Sequence, residues 1–570
     1  MRKSLILLFI CSLFYQCTSE IEEIVVVEPE VIVAPPNLIE DHKEEIATII
    51  RETIENRMPD KRYSVLGVEL YSSVLIPQFY SNRGFENAWI SNIDSLDFLD
   101  EFILYIAELA HHGLQPTQYH QEKITGLRDS ITLNKETKTF NPYNIAQLDL
   151  LLSDAFFMMS SHLYHGKVNA ESLTAEWGIR RDKPEVDLDE KLELFIQRKA
   201  PFTFMKMFYP DHRGYEMMIA EAKALQTKIQ DDYKTKITLS KDKRFIDIWE
   251  DSSYIQSINE KLYFLGYSTQ DTIDFSDSLM GLFQAVKGLQ KAHGLNADGK
   301  LGRNTLIVLD QSIEDKINAL YVNMERLRWL PDSLNKRHIL VNIADFTLDY
   351  VNNQDTLIQM RTVVGKDFRQ TPVFNARMTY LVFSPTWTVP PGILRNDVIP
   401  AVAKDINYLD SKNMRVSDAS GNSVDPITIN WRKVNAGGKF PYRVRQDPGA
   451  QNALGRVKFM FPNKHNVYLH DTPSKELFAR DERIFSSGCI RIEKPFELAK
   501  LLLADDSIRW NDNAIKEAME SGKEKTVVLK SPVNVYIYYL TAWSNGKEMS
   551  YRQDIYGRDK EILEALKERK

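Results

Sequence analysis

At 570 residues the chain is too long for one domain, and its length suggests about three or four. Hydrophobic residues make up 43% and charged residues 26%, which is an ordinary globular composition that allows cores of normal size. The net charge of −7 provides no general basic field, so nucleic acid is not expected as a partner.

The N-terminus carries a targeting pattern. Arg2 and Lys3 precede an apolar run at residues 5–14, which is too short for an ordinary transmembrane helix, so residues 1–17 are predicted to be a signal peptide. Cys17 resembles the acylated cysteine of a bacterial lipoprotein, although Gln16 is bulkier than the small residue usual before it. We expect a periplasmic protein, and membrane anchoring through a lipidated Cys17 stays open.

The next two segments carry no recognisable chemistry. Residues 18–40 combine acidic residues with prolines and are predicted to be a linker. Residues 41–250 show helical spacing and are predicted to form a helical scaffold domain, with helices ending near Gly113 and Gly166. Three histidines, at positions 111, 112 and 120, lack a recognisable set of companion ligands, so no metal site is predicted.

A compact unit is predicted at residues 251–310. Its apolar spacing indicates short helices, and Asp298, Gly299 and Gly302 indicate a tight turn before the last of them. The stretch resembles the peptidoglycan-binding type 1 domain, with Leu289 where phenylalanine is usual. The residues in register with its signature are Gln290, Gly294, Leu295, Asp298, Gly299, Gly302 and Thr305. A wall-binding role and a plain spacer both stay open.

The remaining chain changes from helical to β-rich. Residues 311–335 are predicted to be an amphipathic linker helix with Arg326 and Arg328 exposed. Residues 336–560 contain apolar runs broken by turn residues, among them 467–469 before His470 and two separate runs at 527–529 and 533–540, which predict the strands of a mostly-β domain. Residues 388–450 within it are richer in Pro, Gly, Asn and Asp, and indicate an inserted lid or specificity element. The predicted fold class is therefore multidomain α+β.

One thiol stands out in the β-rich domain. Cys11 and Cys17 lie in the predicted targeting region, so Cys489 is the only cysteine left in the folded body of the chain. It follows Ser487 and Gly488, and His470 lies nineteen positions upstream. A thiolate nucleophile needs a base or cationic partner and backbone N–H groups aimed at the oxyanion, and this stretch can supply them. A small buried hydrophobe is the alternative reading of a lone cysteine.

The residues around His470 and Cys489, including the run Ser486-Ser487-Gly488-Cys489-Ile490-Arg491, resemble the L,D-transpeptidase catalytic domain, or YkuD fold. The longer runs at 324–331, 339–343, 364–366, 369–372 and 389–391 resemble its large periplasmic branch, the YcbB-like enzymes. That branch combines a helical scaffold, a peptidoglycan-binding unit and a catalytic domain with a capping insertion. Most of the wider family has histidine where this chain has Ser487, whereas the YcbB-like branch resembles this chain there.

The resemblance implies cysteine acyl transfer on peptidoglycan stem peptides, without metal or cofactor. Cys489 would attack residue three of a tetrapeptide stem with His470 as base, and a second stem's amine would then form a 3→3 cross-link. Backbone groups around Ser487 and Gly488 would hold the oxyanion. The same resemblance and their positions in the sequence suggest three side chains that could bind substrate: Arg491, Tyr468 and Trp387. The family also implies acylation by carbapenem inhibitors.

Other functions are weighed against this one. Water in place of the acceptor amine would give an L,D-carboxypeptidase, and a wall-binding scaffold without catalysis is a further alternative. Sortases have a much larger gap between His and Cys, and NlpC-type peptidases place Cys before His, so the order and spacing favour the transpeptidase. The group that orients His470 is not identified, and the Asp471 carboxylate is not expected to do so because adjacent strand residues face opposite sides.

Overall fold

A computed structural model describes residues 37–568 apart from 57–61, 180–182, 213, 236–251, 270–277, 332–333, 335 and 354. The predicted signal peptide, Cys17 and nearly all of the predicted 18–40 linker lie outside the described residues. Within the described ranges, helices are either too short or too polar to cross a bilayer.

The first folded region is helical, as its periodicity predicts. Its helices are Leu38–Asp41, Lys43–Glu55, Leu75–Asn82, Asp97–Glu108, Gln121–Glu136, Pro142–His165, Leu188–Arg198, Pro201–Phe204 and Tyr215–Gln226. The helix Pro142–His165 begins at the Asn141 side-chain cap, ends at Gly166 and is buried along most of its length. Two carboxylates on this helix hold neighbouring loops: Asp149 accepts the amides of Ala88 and Trp89, and Asp154 pairs with His120 at 2.7 Å.

Three helices form the small unit that follows: Ser252–Phe264, Ser278–Ala292 and Arg303–Leu309. Its signature residues act as an internal brace. The Gln290 side chain donates to Asp298, to the Lys300 carbonyl and to Thr305, and accepts the Gly299 amide at 2.8 Å. Gly294 faces the C-terminal part of the β-rich region, since a Cβ there would lie 2.3 Å from the Arg552 side chain.

The predicted linker helix, Ile313–Arg328, is a central buried element. One face, including Leu320 and Leu327, packs into the hydrophobic core of the β-rich region. Val322 packs into the core of the helical region instead. The prediction that Arg326 and Arg328 are exposed is wrong, because they are 1% and 0% exposed. The polar face meets packed protein instead of solvent: Arg326 pairs with Asp559 of the C-terminal helix, and Arg328 pairs with Glu325 of the same helix.

The β-rich region is built on a ten-stranded sheet. In chain order its strands are β3 (Trp177–Gly178), β4 (Arg337–Asn342), β5 (Thr347–Asn352), β6 (Asp355–Gly365), β7 (Val373–Phe383), β12 (Val457–Met460), β13 (Leu469–His470), β14 (Ile484–Ser486), β15 (Ile490–Ile492) and β16 (Lys525–Tyr538). The labels β1 and β2 belong to a small hairpin, Ser64–Val65 with Val68–Glu69. Two runs predicted as separate strands, at 527–529 and 533–540, form one strand, β16, with a register shift between Val528 and Val533.

Pairing runs in the order β12-β13-β15-β6-β5-β4-β16-β7-β3, and β12 also pairs with β7. The sheet therefore closes on itself through β12 and β7. Strand β3 comes from the helical region and extends the sheet beside β7. Helices Pro495–Leu502, Asp512–Glu520 and Asp559–Lys567 complete the C-terminal part, with a further hairpin of β17 (Ala542–Ser544) and β18 (Met549–Tyr551).

The segment between β7 and β12 has its own sheet and its own core. Its strands are β8 (Trp387–Thr388), β9 (Met414–Ser417), β10 (Ser423–Val424) and β11 (Arg443–Gln446), paired in the order β10-β9-β11-β8. Short helices at Pro391–Ile393, Ile399–Lys404, Tyr408–Ser411 and Trp431–Asn435 pack on this sheet. The predicted insertion is thus a small folded subdomain.

Candidate active site

Two adjacent parallel strands carry the candidate site. In the register of β13 and β15, Leu469 lies beside Ile490 and His470 beside Arg491, and the Ile490 amide donates to the Tyr468 carbonyl at 3.1 Å. Leu469, Ile490 and Ile492 are fully buried in the core on one face of these strands. Because side chains alternate between faces, the intervening residues share the other face.

That other face carries Tyr468, His470, Cys489 and Arg491. Adjacent strands lie about 4.8 Å apart and residues i and i+2 about 6.6 Å apart along a strand, so the four side chains are within reach of one another. The Tyr468 and His470 rings are 5.7 Å apart between centroids. The structure thus brings four of the predicted site residues together on one surface.

The His470 ring is fixed by a main-chain group. Its Nδ1 lies 2.5 Å from the carbonyl oxygen of Asp471. A carbonyl can only accept, so Nδ1 carries the proton and Nε2 keeps its lone pair. The Asp471 carboxylate is occupied elsewhere, with the Arg456 amide and Lys475. The group that orients His470, which the sequence did not identify, is therefore the Asp471 backbone carbonyl. The Asp471 carboxylate does not orient the ring, as expected.

Burial keeps both His470 and Cys489 uncharged. Desolvation, reinforced by the Arg491 charge, lowers the pKa of His470 to about 3 against a weaker opposing effect of the Asp471 carbonyl. Desolvation raises the pKa of the Cys489 thiol, and hydrogen bonds from Tyr468 and the Arg491 charge only partly oppose it. At neutral pH the resting pair is thus a thiol and a neutral imidazole, which suits general-base activation during attack.

The loop that carries Cys489 is held by its own hydroxyl, that of Ser486. Ser486 Oγ accepts the Gly488 amide at 3.1 Å and donates to the Cys489 carbonyl at 2.5 Å. Gly488 has a φ of +109°, which L side chains rarely adopt. In the described part of the chain, the amides of Ser487 and Cys489 have no acceptor. The thiol itself lies 3.8 Å from the Asn466 carbonyl.

A second loop, residues 365–371, braces the first. Thr371 Oγ1 donates to the Gly488 carbonyl and accepts the Gly365 amide, both at 3.0 Å. Arg369 donates from Nη1 to Ser487 Oγ at 2.9 Å and lies 3.4 Å from Asp397 of the insertion. The run 369–372 resembles the YcbB-like branch in sequence, but these contacts are not visible in the sequence alone. Ser486, Thr371, Arg369 and Asn466 are thus positions that sequence reasoning missed.

Arg491 and Trp387, both predicted to bind substrate, have different surroundings. Arg491 lies beside His470 on the site face, and burial lowers its pKa. Its Nε is buried and has no hydrogen-bond partner among the described residues. Trp387 lies in β8, opposite Gln446, and packs against the core of the insertion. The role of each in substrate binding stays a prediction.

A metal centre has no candidate ligands here, since the described residues include no group of three or more His, Cys, Asp or Glu side chains suited to one.

Comparisons with known proteins agree with this architecture. The model of the L,D-transpeptidase catalytic domain matches residues 336–534, a scaffold domain matches 74–221, and a domain described as "Putative peptidoglycan binding domain" matches 251–309. A Haemophilus influenzae protein named "Putative L,D-transpeptidase" is 38% identical over 243 residues. The match covers 43% of this chain and 48% of that protein, about half the length of each.

Two solved structures also match, each at 12% identity. One, described as the Ldtfm-avibactam carbamoyl enzyme, covers 57% of this chain and 99% of its own, with a TM-score of 0.18. The other, residues 123–326 of an L,D-transpeptidase from Xylanimonas cellulosilytica, covers 50% and 92%, with a TM-score of 0.16. On the three domain matches and the H. influenzae relative, residues 336–534 are similar to the L,D-transpeptidase catalytic domain and follow a scaffold domain and a peptidoglycan-binding domain in the chain.

Proposed function

We propose that this chain is an exported, periplasmic L,D-transpeptidase that forms 3→3 peptidoglycan cross-links through a thioester on Cys489. The observation that carries the proposal is the shared face of Cys489 and His470, with the His470 Nδ1 proton fixed on the Asp471 carbonyl. The family match supplies the reaction class, and this geometry supplies a nucleophile with a neutral base.

The first half of the reaction transfers an acyl group to the thiol. Nε2 of His470 takes the thiol proton as Sγ attacks the carbonyl carbon of stem residue three. The oxyanion is stabilised by the Ser487 and Cys489 amides, because the Gly488 amide is already bonded to Ser486. The imidazolium then gives its proton to the departing nitrogen of D-alanine, and the carbon–nitrogen bond breaks to leave the thioester.

The second half restores the enzyme. The amine of a second stem attacks the thioester carbon, the carbon–sulfur bond breaks, and the amine proton passes through His470 to Sγ. Water attacking in place of the amine gives the trimmed tripeptide stem, so one enzyme can produce both dimer and tripeptide. The small unit at 251–309 would hold the enzyme on its polymeric substrate.

The decisive experiment is to incubate the full-length protein with a carbapenem and, separately, with disaccharide-tetrapeptide, and to analyse protein and products by mass spectrometry. We expect a covalent adduct on Cys489 and a 3→3 dimer, and neither product with Cys489→Ala. As a matched control for the loss of one side chain, Ser544→Ala, in the distant β17 hairpin, should retain both. An unmodified Cys489 together with the absence of dimer and tripeptide would overturn the proposal.

A further inference from the structure

A large cavity lies between the helical region and the catalytic sheet. Its volume is about 1370 Å³, and it is lined by residues 166–171 and 176–179 on one side and by 374–376 and 462–465 on the other. Pockets for drug-sized ligands measure about 300–1,000 Å³. This cavity therefore has room for several residues of an oligomeric ligand.

The cavity is joined to the thiol by one short loop. The Asn463 side chain shapes this loop, donating to the Phe461 and Val467 carbonyls at 2.6 and 2.7 Å and accepting the His465 amide at 3.0 Å. His465 lines the cavity, and the carbonyl of the next residue, Asn466, contacts Cys489 Sγ. A ligand seated in the cavity thus lies one loop away from the reacting sulfur.

The lining has hydrogen-bonding groups that the protein itself does not use. Trp177 Nε1 and His465 Nε2 are buried atoms without a partner among the described residues. Such groups are costly unless something pairs with them. Trp177 belongs to β3, whose pairing with Val373 and Phe374 fixes this wall of the cavity on the catalytic sheet. Two side chains of the lining thus hold hydrogen-bonding capacity that no described residue uses.

Charges of both signs stand at the mouth. Glu176 of the helical region and Lys464 of the loop form an ion pair, and their side chains are 56% and 67% exposed. Exposed pairs of this kind contribute little to stability, so either member can exchange its partner for a ligand. A ligand with both ammonium and carboxylate groups fits this mouth. A peptidoglycan stem peptide has both groups.

We propose that this cavity holds the acceptor stem, whose amine attacks the thioester; the inference rests on the proposed function. The donor needs the Ser487 and Cys489 amides for its oxyanion, which places it against the loop at 365–371. The Asn466 side of the thiol leads to the cavity and is left for the acceptor. The attacking nitrogen must come within about 3–3.5 Å of the thioester carbon, so the acceptor would extend its amine from the cavity past Asn466 to the thiol.

The test is to fill the cavity and measure how the thioester divides between amine and water. Ala376 lines the cavity from β7, while the adjacent Arg377 is exposed and lies outside the cavity lining. With Ala376→Trp we expect the ratio of 3→3 dimer to tripeptide to fall at least about tenfold, with the rate of carbapenem acylation unchanged. Arg377→Trp, the matched control, should leave both unchanged. An unaltered ratio in Ala376→Trp would overturn the inference.

A binding measurement separates this inference from the proposed function. A disaccharide-tripeptide has the acceptor amine but lacks the D-alanine that a donor must release. We expect it to bind Cys489→Ala, and to bind Cys489→Ala/Ala376→Trp at least about tenfold more weakly. Equal binding by the two variants, or none by Cys489→Ala, would overturn the inference, even where acylation of the wild type upholds the proposed function.

A second substitution guards against misfolding of Ala376→Trp. Lys464→Glu changes only an exposed side chain at the mouth and is expected to lower the dimer-to-tripeptide ratio in the same direction. Its matched control is Arg377→Glu, which makes the same charge change outside the cavity. An equal ratio in these two variants would count against the acceptor site.

Discussion

Two buried clusters in this molecule are built from the same residue types and do different things. In each, a histidine lies near an arginine and a tyrosine: His112 with Arg328 and Tyr215, and His470 with Arg491 and Tyr468. In both, burial first and the arginine charge second lower the pKa of the histidine. Electrostatic perturbation alone therefore does not distinguish them.

The difference lies in how completely each cluster is paired. Arg328 donates to Glu325, to the His112 carbonyl and to the Tyr215 hydroxyl, and the His112 ring contacts the Tyr215 and Tyr209 hydroxyls. Around Cys489, Arg491 Nε has no partner among the described residues, and His470 uses only Nδ1 in the hydrogen bonds found there. A saturated network stabilises the fold, whereas unsaturated groups on one face are available to a substrate.

The largest expected effect is on the saturated cluster. Glu325→Leu leaves the Arg328 guanidinium, which is fully buried, without its carboxylate, and should lower the free energy of unfolding by about 3–5 kcal/mol. Denaturant titration of the full chain measures this. Glu548→Leu, which breaks the exposed Lys291 pair, is the control and should cost no more than about 1 kcal/mol. Equal losses in the two variants would show that the Arg328 cluster is not a structural support.

A pair of histidine variants should then separate the clusters by function. His470→Gln removes the base and should slow acylation of Cys489 by about 10²–10⁴-fold, with a much smaller effect on unfolding. His112→Gln should lower the free energy of unfolding while the acylation rate of the folded protein stays at the wild-type value. Rates come from time-resolved mass spectrometry. A similar acylation rate in the wild type and His470→Gln would mean that His470 is not the base.

The smallest expected effect, at most about 1.4 kcal/mol per pH unit for each histidine, is a pH dependence of stability that His470 shares with His162 of the helix Pro142–His165. The pKa of His470 and that of His162 are each lowered by burial to about 3, below the value of about 6.5 in an unfolded chain. Between these values the unfolded chain binds a proton that the folded chain does not. The contribution of each neutral histidine to the free energy of unfolding is therefore fully present above about pH 6.5 and is lost as the pH falls toward 3.

The comparison of variants isolates this contribution. Each histidine should add up to about 1.4 kcal/mol per pH unit to the slope of the unfolding free energy in this window. The slope should fall by that amount in each of the two single variants, His162→Gln and His470→Gln. The free energy of unfolding is measured by denaturant titration from pH 7 to 4. Subtracting the slope of a variant from that of the wild type removes the contribution of groups with the opposite pH dependence. Asp349 is such a group, because burial raises its pKa to about 6. An unchanged slope would show that neither histidine is kept neutral by the fold.

The sequence predicted the elements well wherever periodicity was strong. The helix ending at Gly166 and the strand leading into His470 were both visible in the spacing of apolar residues. The same reasoning failed for the central helix, Ile313–Arg328, whose Arg326 and Arg328 are buried. An amphipathic pattern shows that one face is polar, but it does not show whether that face meets solvent or packed protein with groups that pair its charges. Periodicity also divided β16 in two, since a register shift within one strand looks like a break between two.

What the sequence determined by itself is the candidate pair of reacting groups: Cys489, the one cysteine among the residues that the structure describes, and His470 nineteen positions before it. Both are local patterns, so the order of residues is enough to mark them. Only the tertiary structure decided the rest. It assigned the Asp471 carbonyl to orient His470, occupied the Gly488 amide with Ser486, and set Arg369 against Ser487. It also enclosed the cavity beside the thiol, because contacts such as that of Trp177 with Val373 join residues far apart in the chain.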